Sequence, residues 1–167
     1  MASYPPATPQ PTQDDWLIWV NQIMGVPTIW LPPTSPAIPL AYSMAIAIVN
    51  PVFSCVPGPI YQQMVYNLAA HLLVTYSQDV KTTPPYPFIT VEGVPYGYFE
   101  YIRKTNNVTG FVTGIVQSTG DEGTSVSLVV PDSFKNLTMS QLQLTTTIWG
   151  RTYLGFAQDW NAPWGIS

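Results

Sequence analysis

Mostly apolar residues recur at alternating steps of three and four along the last third of the chain. The run consists of Met139, Leu142, Thr146, Trp149, Tyr153, Phe156 and Trp160. This spacing places all seven side chains on one face of an α-helix. The pattern therefore predicts one long helix from about Thr138 to Gln158, with most of this stripe in the core.

A first helix is predicted from Thr12 to about Met24. Thr12 suits the N-cap position, and Asp14 and Asp15 fall in the first turn, where the helix dipole favours acidic side chains. The apolar residues expected to face the core are Trp16, Val20 and Ile23.

Two more helices are predicted between the proline-rich breaks. The second begins near Pro36 or Pro39 and stops before Pro51, and it is apolar nearly all round, which is typical of a helix buried on several sides. Its inward face is predicted to be Ala41, Met44, Ala45 and Ile48. The third runs from Ile60 to near Asp79. Its apolar stripe is Ile60, Met64, Val65, Leu68, Ala69, Leu72, Leu73 and Tyr76, and its polar side is Gln63, Asn67, His71 and Thr75.

The region between the third and last helices is predicted to be mostly loop and strand. Residues 82–97 read as a loop with a short strand at Phe88 to Val91, followed by one or two helical turns from Tyr98 to Asn106. Residues 108–118 and 124–130 then predict a β-hairpin around a turn at 120–123, because the second run alternates apolar and polar positions.

The predicted fold class is mainly α. We expect a small bundle of about four helices with an inserted β-hairpin and extended terminal arms. Its length of 167 residues suits one domain. The organisation is a flexible proline-rich arm at 1–11, a single helical domain at 12–160 with the hairpin at 108–130, and an extended tail at 161–167.

Low charge sets this chain apart from an ordinary soluble domain. Charged residues make up 8% of the sequence, against about a quarter in typical domains, while 46% is apolar. The surface must therefore be built from uncharged polar residues, or be buried in an assembly, or both. The net charge of −4 and the single basic pair Arg103-Lys104 argue against ordinary nucleic-acid binding.

Candidate chemistry is sparse. With one histidine and one cysteine, no zinc site can be assembled, and no catalytic residue, metal or cofactor is assigned. His71 is predicted to be a surface or interface residue hydrogen-bonded to Asn67 or Thr75, and Cys55 a buried thiol. The amino terminus shows no signal-peptide pattern, and the apolar run at 37–49 is shorter than the roughly 20 residues of a membrane span.

The surplus of aromatic residues has two functional interpretations beside core packing. Six Trp and ten Tyr can line a carbohydrate-binding face or the centre of a protein–protein interface. Most of the rings in helical stripes are expected in the core. The rings outside those stripes are the better interface candidates: Trp30, Tyr96, Tyr98 and Trp164.

Three segments together resemble a known family. They are Leu-Ala-Ala-His-Leu-Leu at 68–73, the hairpin runs at 114–118 and 125–127, and Thr-Ile-Trp-Gly-Arg-Thr-Tyr at 147–153. In order and spacing the chain from about Ile60 to Phe156 resembles small tailed-phage proteins regarded as head-to-tail connectors, or adaptors. It departs from them in Trp149, where tyrosine is more usual, in a longer proline-rich region before Ile60 and in an enlarged 82–97 loop.

The resemblance implies a structural, non-enzymatic protein of the virion neck, made in the cytoplasm of the host bacterium. Such adaptors form a ring, commonly of twelve copies, beneath the portal protein; the ring extends the DNA channel and receives the tail or tail-completion proteins. An acidic channel wall would let DNA slide past without sequence-specific binding. Related possibilities are a tail-completion or tail-terminator ring protein and, from a different class, an aromatic-lined glycan-binding module.

Two surfaces are predicted to bind partners. The hairpin is expected to contact a neighbouring subunit through Phe111, Thr113, Ile115, Val126 and Leu128. The tail is expected to dock on the portal through Trp160, Pro163, Trp164 and Ile166, because Trp164 lies outside any helical pattern.

Overall fold

The computed structural model describes residues 11–49, 56–79, 89–108, 119–121, 124–126 and 138–159. Within these ranges the chain forms six α-helices and two separate antiparallel strand pairs. The helices are α1 (Gln13–Gln22), α2 (Ala37–Ile48), α3 (Gly58–Tyr76), α4 (Tyr98–Thr105), α5 (Met139–Leu144) and α6 (Ile148–Asp159). The strands are β1 (Ile89–Val91), β2 (Val94–Tyr96), β3 (Thr119–Asp121) and β4 (Thr124–Val126). The predicted class, a mainly helical fold with an inserted hairpin, is confirmed.

Helix α3 lies at the centre of the core. Thirteen of its 19 residues are buried, and α2 and α6 make the most extensive contacts with it. Pro57 precedes its first turn and Pro59 lies within that turn, where a missing backbone N–H costs no helical hydrogen bond. The predicted apolar stripe is buried along most of α3, but Tyr76, its last member, is 59% exposed.

Helix α1 begins as the sequence predicts. The Thr12 side chain accepts a hydrogen bond from the Asp15 backbone N at 3.1 Å, and Trp16 and Val20 are fully buried. The Trp16 indole donates to the Tyr66 carbonyl at 3.2 Å, which anchors α1 to α3. The prediction for Ile23 is wrong: α1 ends at Gln22, and Ile23 follows it 67% exposed.

Helix α2 covers α3 with one face only. Ile38, Ala41 and Ala45 are buried, whereas Ile48, predicted to face inward, is 46% exposed. The expectation of burial on several sides is therefore wrong for the single chain. The outer face of α2 stays apolar and uncharged although solvent reaches it.

A reciprocal cap joins the end of α3 to the start of α4. The two carboxylate oxygens of Asp79 accept hydrogen bonds from the backbone N–H groups of Phe99 and Glu100, both at 2.9 Å. Arg103 donates to the carbonyls of Val74 (3.2 Å) and Ser77, and its guanidinium lies 3.9 Å from Asp79. Each helix terminus thus receives a side chain of the charge that its dipole favours.

A hairpin lies between these two capped helix ends, and the sequence predicts only the first of its two strands. Strand β1 agrees with the strand expected at 88–91, but it pairs with β2, in a register that sets Val91 opposite Val94. The turn residues Glu92 and Gly93 have φ of 51° and 79°, the left-handed values that two-residue hairpin turns need. Strand β2 was not predicted, because Pro95 and the glycines on either side of the strand are typical of a loop.

The second hairpin lies inside the predicted range 108–130, but Gly120 and Asp121, which were predicted in its turn, lie in strand β3. Strand β3 pairs with β4 so that Thr119 lies opposite Val126 and Asp121 opposite Thr124. Residues 109–118 and 127–130 of the predicted strands lie outside the described residues, as do residues 1–10 of the predicted arm at 1–11 and the whole predicted tail at 161–167.

The predicted single last helix is wrong, because the chain breaks it at three threonines. The hydroxyls of Thr145 and Thr146 donate back to the carbonyls of Leu142 (2.6 Å) and Gln143 (2.7 Å), a competition that disfavours a continuing helix. Thr147 then caps α6, its hydroxyl accepting from the Gly150 backbone N at 3.0 Å.

Because the helix is broken at 145–147, the residues of the predicted stripe do not all face the core. Met139 is 60% exposed and Tyr153 is 1% exposed, while Leu142, Thr146, Trp149 and Phe156 are half-buried and Trp160 lies outside the described residues. The residues buried in place of the stripe are Gln141, Leu144, Thr147, Gly150, Leu154 and Ala157.

Removing the cap between α3 and α4 should destabilise the fold. Asp79→Ala leaves two backbone N–H groups of α4 without their acceptor, and we expect the free energy of unfolding to fall by about 1–2 kcal/mol. Urea denaturation followed by circular dichroism measures this loss. Asp159→Ala, at an exposed position in α6, is the matched control and should change stability by less than about 0.5 kcal/mol. Equal effects of the two substitutions would contradict the capping role.

Candidate functional site

A buried polar junction connects α3 to the start of α6. The Nδ1 atom of His71 lies 2.9 Å from the Thr147 hydroxyl, and the two residues are 5% and 0% exposed. Because that hydroxyl already accepts from the Gly150 N–H, its own proton is available to donate to Nδ1.

The prediction that His71 is a surface or interface residue is therefore wrong. Its partner is Thr147, 76 positions away, rather than Asn67 or Thr75. Asn67 instead donates to the Gln63 carbonyl at 2.8 Å, and the Thr75 hydroxyl donates to the backbone carbonyl of His71 at 2.8 Å. A polar stripe along a helix resembles a solvated face, yet here it meets another helix.

Burial governs the ionisation of His71. Removal from solvent disfavours the charged imidazolium and lowers the pKa of His71 to about 4. The histidine is consequently neutral at physiological pH.

Gly150 fits this junction because it has no side chain. A Cβ atom at this position would overlap the Leu144 carbonyl oxygen and lie 2.9 Å from Nδ1 of His71. The close approach lets the first turn of α6 fold back against the end of α5 while resting on α3. The 68–73 and 147–153 segments thus meet in space.

The junction is suited to structure rather than to chemistry on a substrate. A histidine beside a hydroxyl has the composition of a nucleophile and its base, but the Thr147 hydroxyl is fully buried and serves as a helix cap. In the part of the chain that the structure describes, no three His, Cys, Asp or Glu residues are grouped to hold a metal ion. No helix in those ranges is both long and apolar enough to cross a lipid bilayer.

A second feature is a surface without charged residues, formed by one long stretch of the chain. From Trp16 to Gln78 the chain contains no Asp, Glu, Lys or Arg. This stretch includes α2, α3 and most of α1, and it nevertheless exposes large apolar side chains. They are Ile18, Ile23, Ile29, Leu40, Ile46, Ile48 and Tyr76.

Part of this surface forms a groove between α2 and the C-terminal end of α3, here named the α2 groove. It is lined by Ala37, Leu40, Ala41, Met44, Leu72, Leu73, Tyr76 and Ser77. Leu40 and Tyr76, on its two rims, are 55% and 59% exposed. Sequence reasoning missed this groove, although the absence of charge from 16 to 78 was a readable signal for it.

The partner-binding residues predicted from sequence fall almost wholly outside the described residues. This holds for Phe111, Thr113, Ile115, Leu128, Trp160, Pro163, Trp164 and Ile166. Cys55, predicted to be a buried thiol, also lies outside the described residues. The backbone of Val126 lies in β4 opposite Thr119. Their roles in partner binding stay predictions.

Three of the four aromatic interface candidates already have partners within the chain. The rings of Trp30 and Tyr98 lie 5.9 Å apart, and the Tyr98 hydroxyl donates to the Gly25 carbonyl at 3.3 Å. Lys104 donates to the Tyr96 hydroxyl and sits 4.3 Å from the centre of its ring. These rings brace the fold around α4, and Trp164 is not among the described residues.

Comparison with known proteins adds no relative: no family model, curated protein or solved structure matches the chain.

Crowding at Gly150 predicts a large and local sensitivity to mutation. Gly150→Ala forces its methyl group into the Leu144 carbonyl and His71, and we expect a loss of about 3 kcal/mol or more in unfolding free energy. Gly155→Ala in the same helix meets no atom within 4 Å and should be neutral or stabilising by up to about 1 kcal/mol. Chemical denaturation of both variants measures the contrast, and similar stabilities would refute the tight junction.

The buried histidine predicts a specific pH dependence. An unfolded histidine has a pKa near 6.5, so between about pH 6.5 and 4 the unfolded chain binds a proton that the folded chain excludes. Stability should be level above that window and fall as pH drops through it, by roughly 3 kcal/mol in total. His71→Gln, which removes the only histidine, should lose this component. Urea denaturation of both proteins between pH 7.5 and 4.5 is the test, and a stability difference independent of pH would exclude it.

Proposed function

We propose that this chain is a structural virion protein, a head-to-tail adaptor whose copies form a ring under the portal. In that role it extends the DNA channel and provides the docking surface for the tail. The observation that carries the proposal is the apolar α2 groove, which lies on a stretch of chain without a single charged residue.

An uncharged, partly apolar surface is better suited to contact with protein than with water. Solvated surfaces are rich in charged residues, and contiguous exposed apolar patches on soluble proteins mark interaction sites. The cores of protein interfaces are likewise depleted in charge. A subunit whose flanks meet neighbouring subunits accounts for both properties of the 16–78 stretch.

The buried junction supports the resemblance to phage adaptors. The two helical segments that carry the resemblance, at 68–73 and 147–153, contact each other through His71, Thr147 and Gly150. They are therefore parts of one packing unit rather than two unrelated stretches of helical sequence.

Charge also favours passage of DNA over its binding. The net charge is −4, and three of the five basic side chains make contacts within the described residues: Arg103 at the α3 terminus, Lys104 on Tyr96 and Arg151 on the Thr145 carbonyl. A ring of such subunits would repel phosphates and let DNA slide through. The proposed location is the virion neck.

Sizing the protein with its portal tests the proposal. We expect multi-angle light scattering and native mass spectrometry to detect many copies, twelve in a closed ring, on each portal assembly from the same phage. Removal of residues 160–167 should abolish portal binding, whereas removal of residues 1–10 should preserve it. A full-length chain that stays off the portal, and binds isolated tails instead, would replace the adaptor with a tail-completion role.

A further inference from the structure

We propose that His71 is an acid-sensitive joint, at which protonation releases the α5–α6 pair from α3 while α1, α2 and α4 stay packed on it. Such a joint operates within one chain and does not require the proposed ring. Low pH then opens one defined part of the fold first, rather than loosening the whole fold at once.

Helices α5 and α6 form a pair that is attached to the rest of the described chain through α3. Helix α6 packs against α5 and, most extensively, against α3. In the described ranges neither helix makes a comparable set of contacts with α1, α2 or α4, and α2 covers α3 through contacts of its own. The tail predicted at 161–167 follows α6 in the sequence, so its attachment to the helical core depends on this pair.

His71 lies where the pair meets α3. Its Nδ1 atom is 2.9 Å from the Thr147 hydroxyl, the group that also caps α6 by accepting from the Gly150 N–H. A Cβ atom on Gly150 would lie 2.9 Å from the same Nδ1 atom, so the backbone of α6 covers the ring closely. Movement of α6 away from α3 therefore gives the imidazole access to water.

Among the described residues, the joint holds no carboxylate that could neutralise a charge on His71. Helices α2, α3 and α5 carry no charged residue. Burial, rather than a charged neighbour, is the cause of the lowered pKa of His71, and the tyrosines on the packed helices stay neutral in acid. The charged side chains on the other helices and beyond the end of α3 are Asp14, Asp15, Asp79, Glu100, Arg103, Lys104, Arg151 and Asp159.

The direction of the response follows from where His71 can hold a proton. Burial under α6 lowers the pKa of His71 from 6.5 to about 4, and release restores the ordinary value. Between about pH 6.5 and 4 the released form binds a proton that the closed form excludes, so the equilibrium shifts toward release as pH falls. Relative to pH 7.5, the shift is about thirtyfold at pH 5 and about 300-fold once both forms are protonated.

Hydrogen exchange of the purified full-length protein, followed by mass spectrometry and corrected for the intrinsic rate at each pH, tests the release. Between pH 7.5 and 5, amide protection in α6 should fall about thirtyfold, whereas protection in α2 should change less than about threefold. His71→Gln should abolish the pH dependence in α6. Asn67→Ala removes another buried polar side chain one turn earlier on α3 and is the matched control, which should keep the response. Circular dichroism verifies that both variants fold.

The single histidine also permits a test without substitution. Its ring protons give isolated signals in a proton–carbon NMR spectrum, and in the closed protein these signals should not titrate near pH 6.5. Each of four results would overturn the joint: equal loss of protection in α2 and α6, unchanged protection of α6 between the two pH values, a pH response that survives in His71→Gln or disappears in Asn67→Ala, or a histidine that titrates near 6.5 in the folded protein.

Discussion

The structure depends on the need to cover an uncharged helix on nearly all sides. Thirteen of the 19 residues of α3 are buried, and the neighbouring helices are arranged to exclude water from it. Two polar side chains of α3 within this core have partners: Asn67 donates to a carbonyl one turn earlier, and His71 contacts the Thr147 hydroxyl. Unpaired, each of these groups would cost about 1–3 kcal/mol, so the position of α6 is set by hydrogen bonding as well as by apolar packing.

The same demand for apolar cover leads from the fold to the proposed function. Helix α2 shields one side of α3, but its own outer face has no charged residue and keeps Leu40 and Ile48 about half exposed. Two charged side chains, Asp79 and Arg103, lie outside this uncharged stretch and have a structural role. They hold the end of α3 against the start of α4, next to the β1–β2 hairpin. An exposed apolar face of this kind favours contact with other protein, as the proposed ring requires.

Local signals predicted much of this fold, and contacts between distant residues account for the errors. The Thr12 cap and the burial of Trp16 follow from nearby sequence, because caps and helical periodicity act within a turn or two. The break at 145–147 was missed because apolar spacing takes no account of threonines that bond back to the helix. His71 was misplaced because its partner is 76 residues away, and the α2 groove because an apolar helix with one open face has the same pattern as one buried all round.

The proposed function requires that copies of this chain form a closed ring between portal and tail. Cryo-electron microscopy of the full-length protein assembled on the portal of its own phage is the direct test of this ring. We expect a ring of density below the portal, into which each subunit fits with α3 at its centre and α2 facing a neighbour. Single copies bound at scattered sites, or a portal without added density, would contradict it.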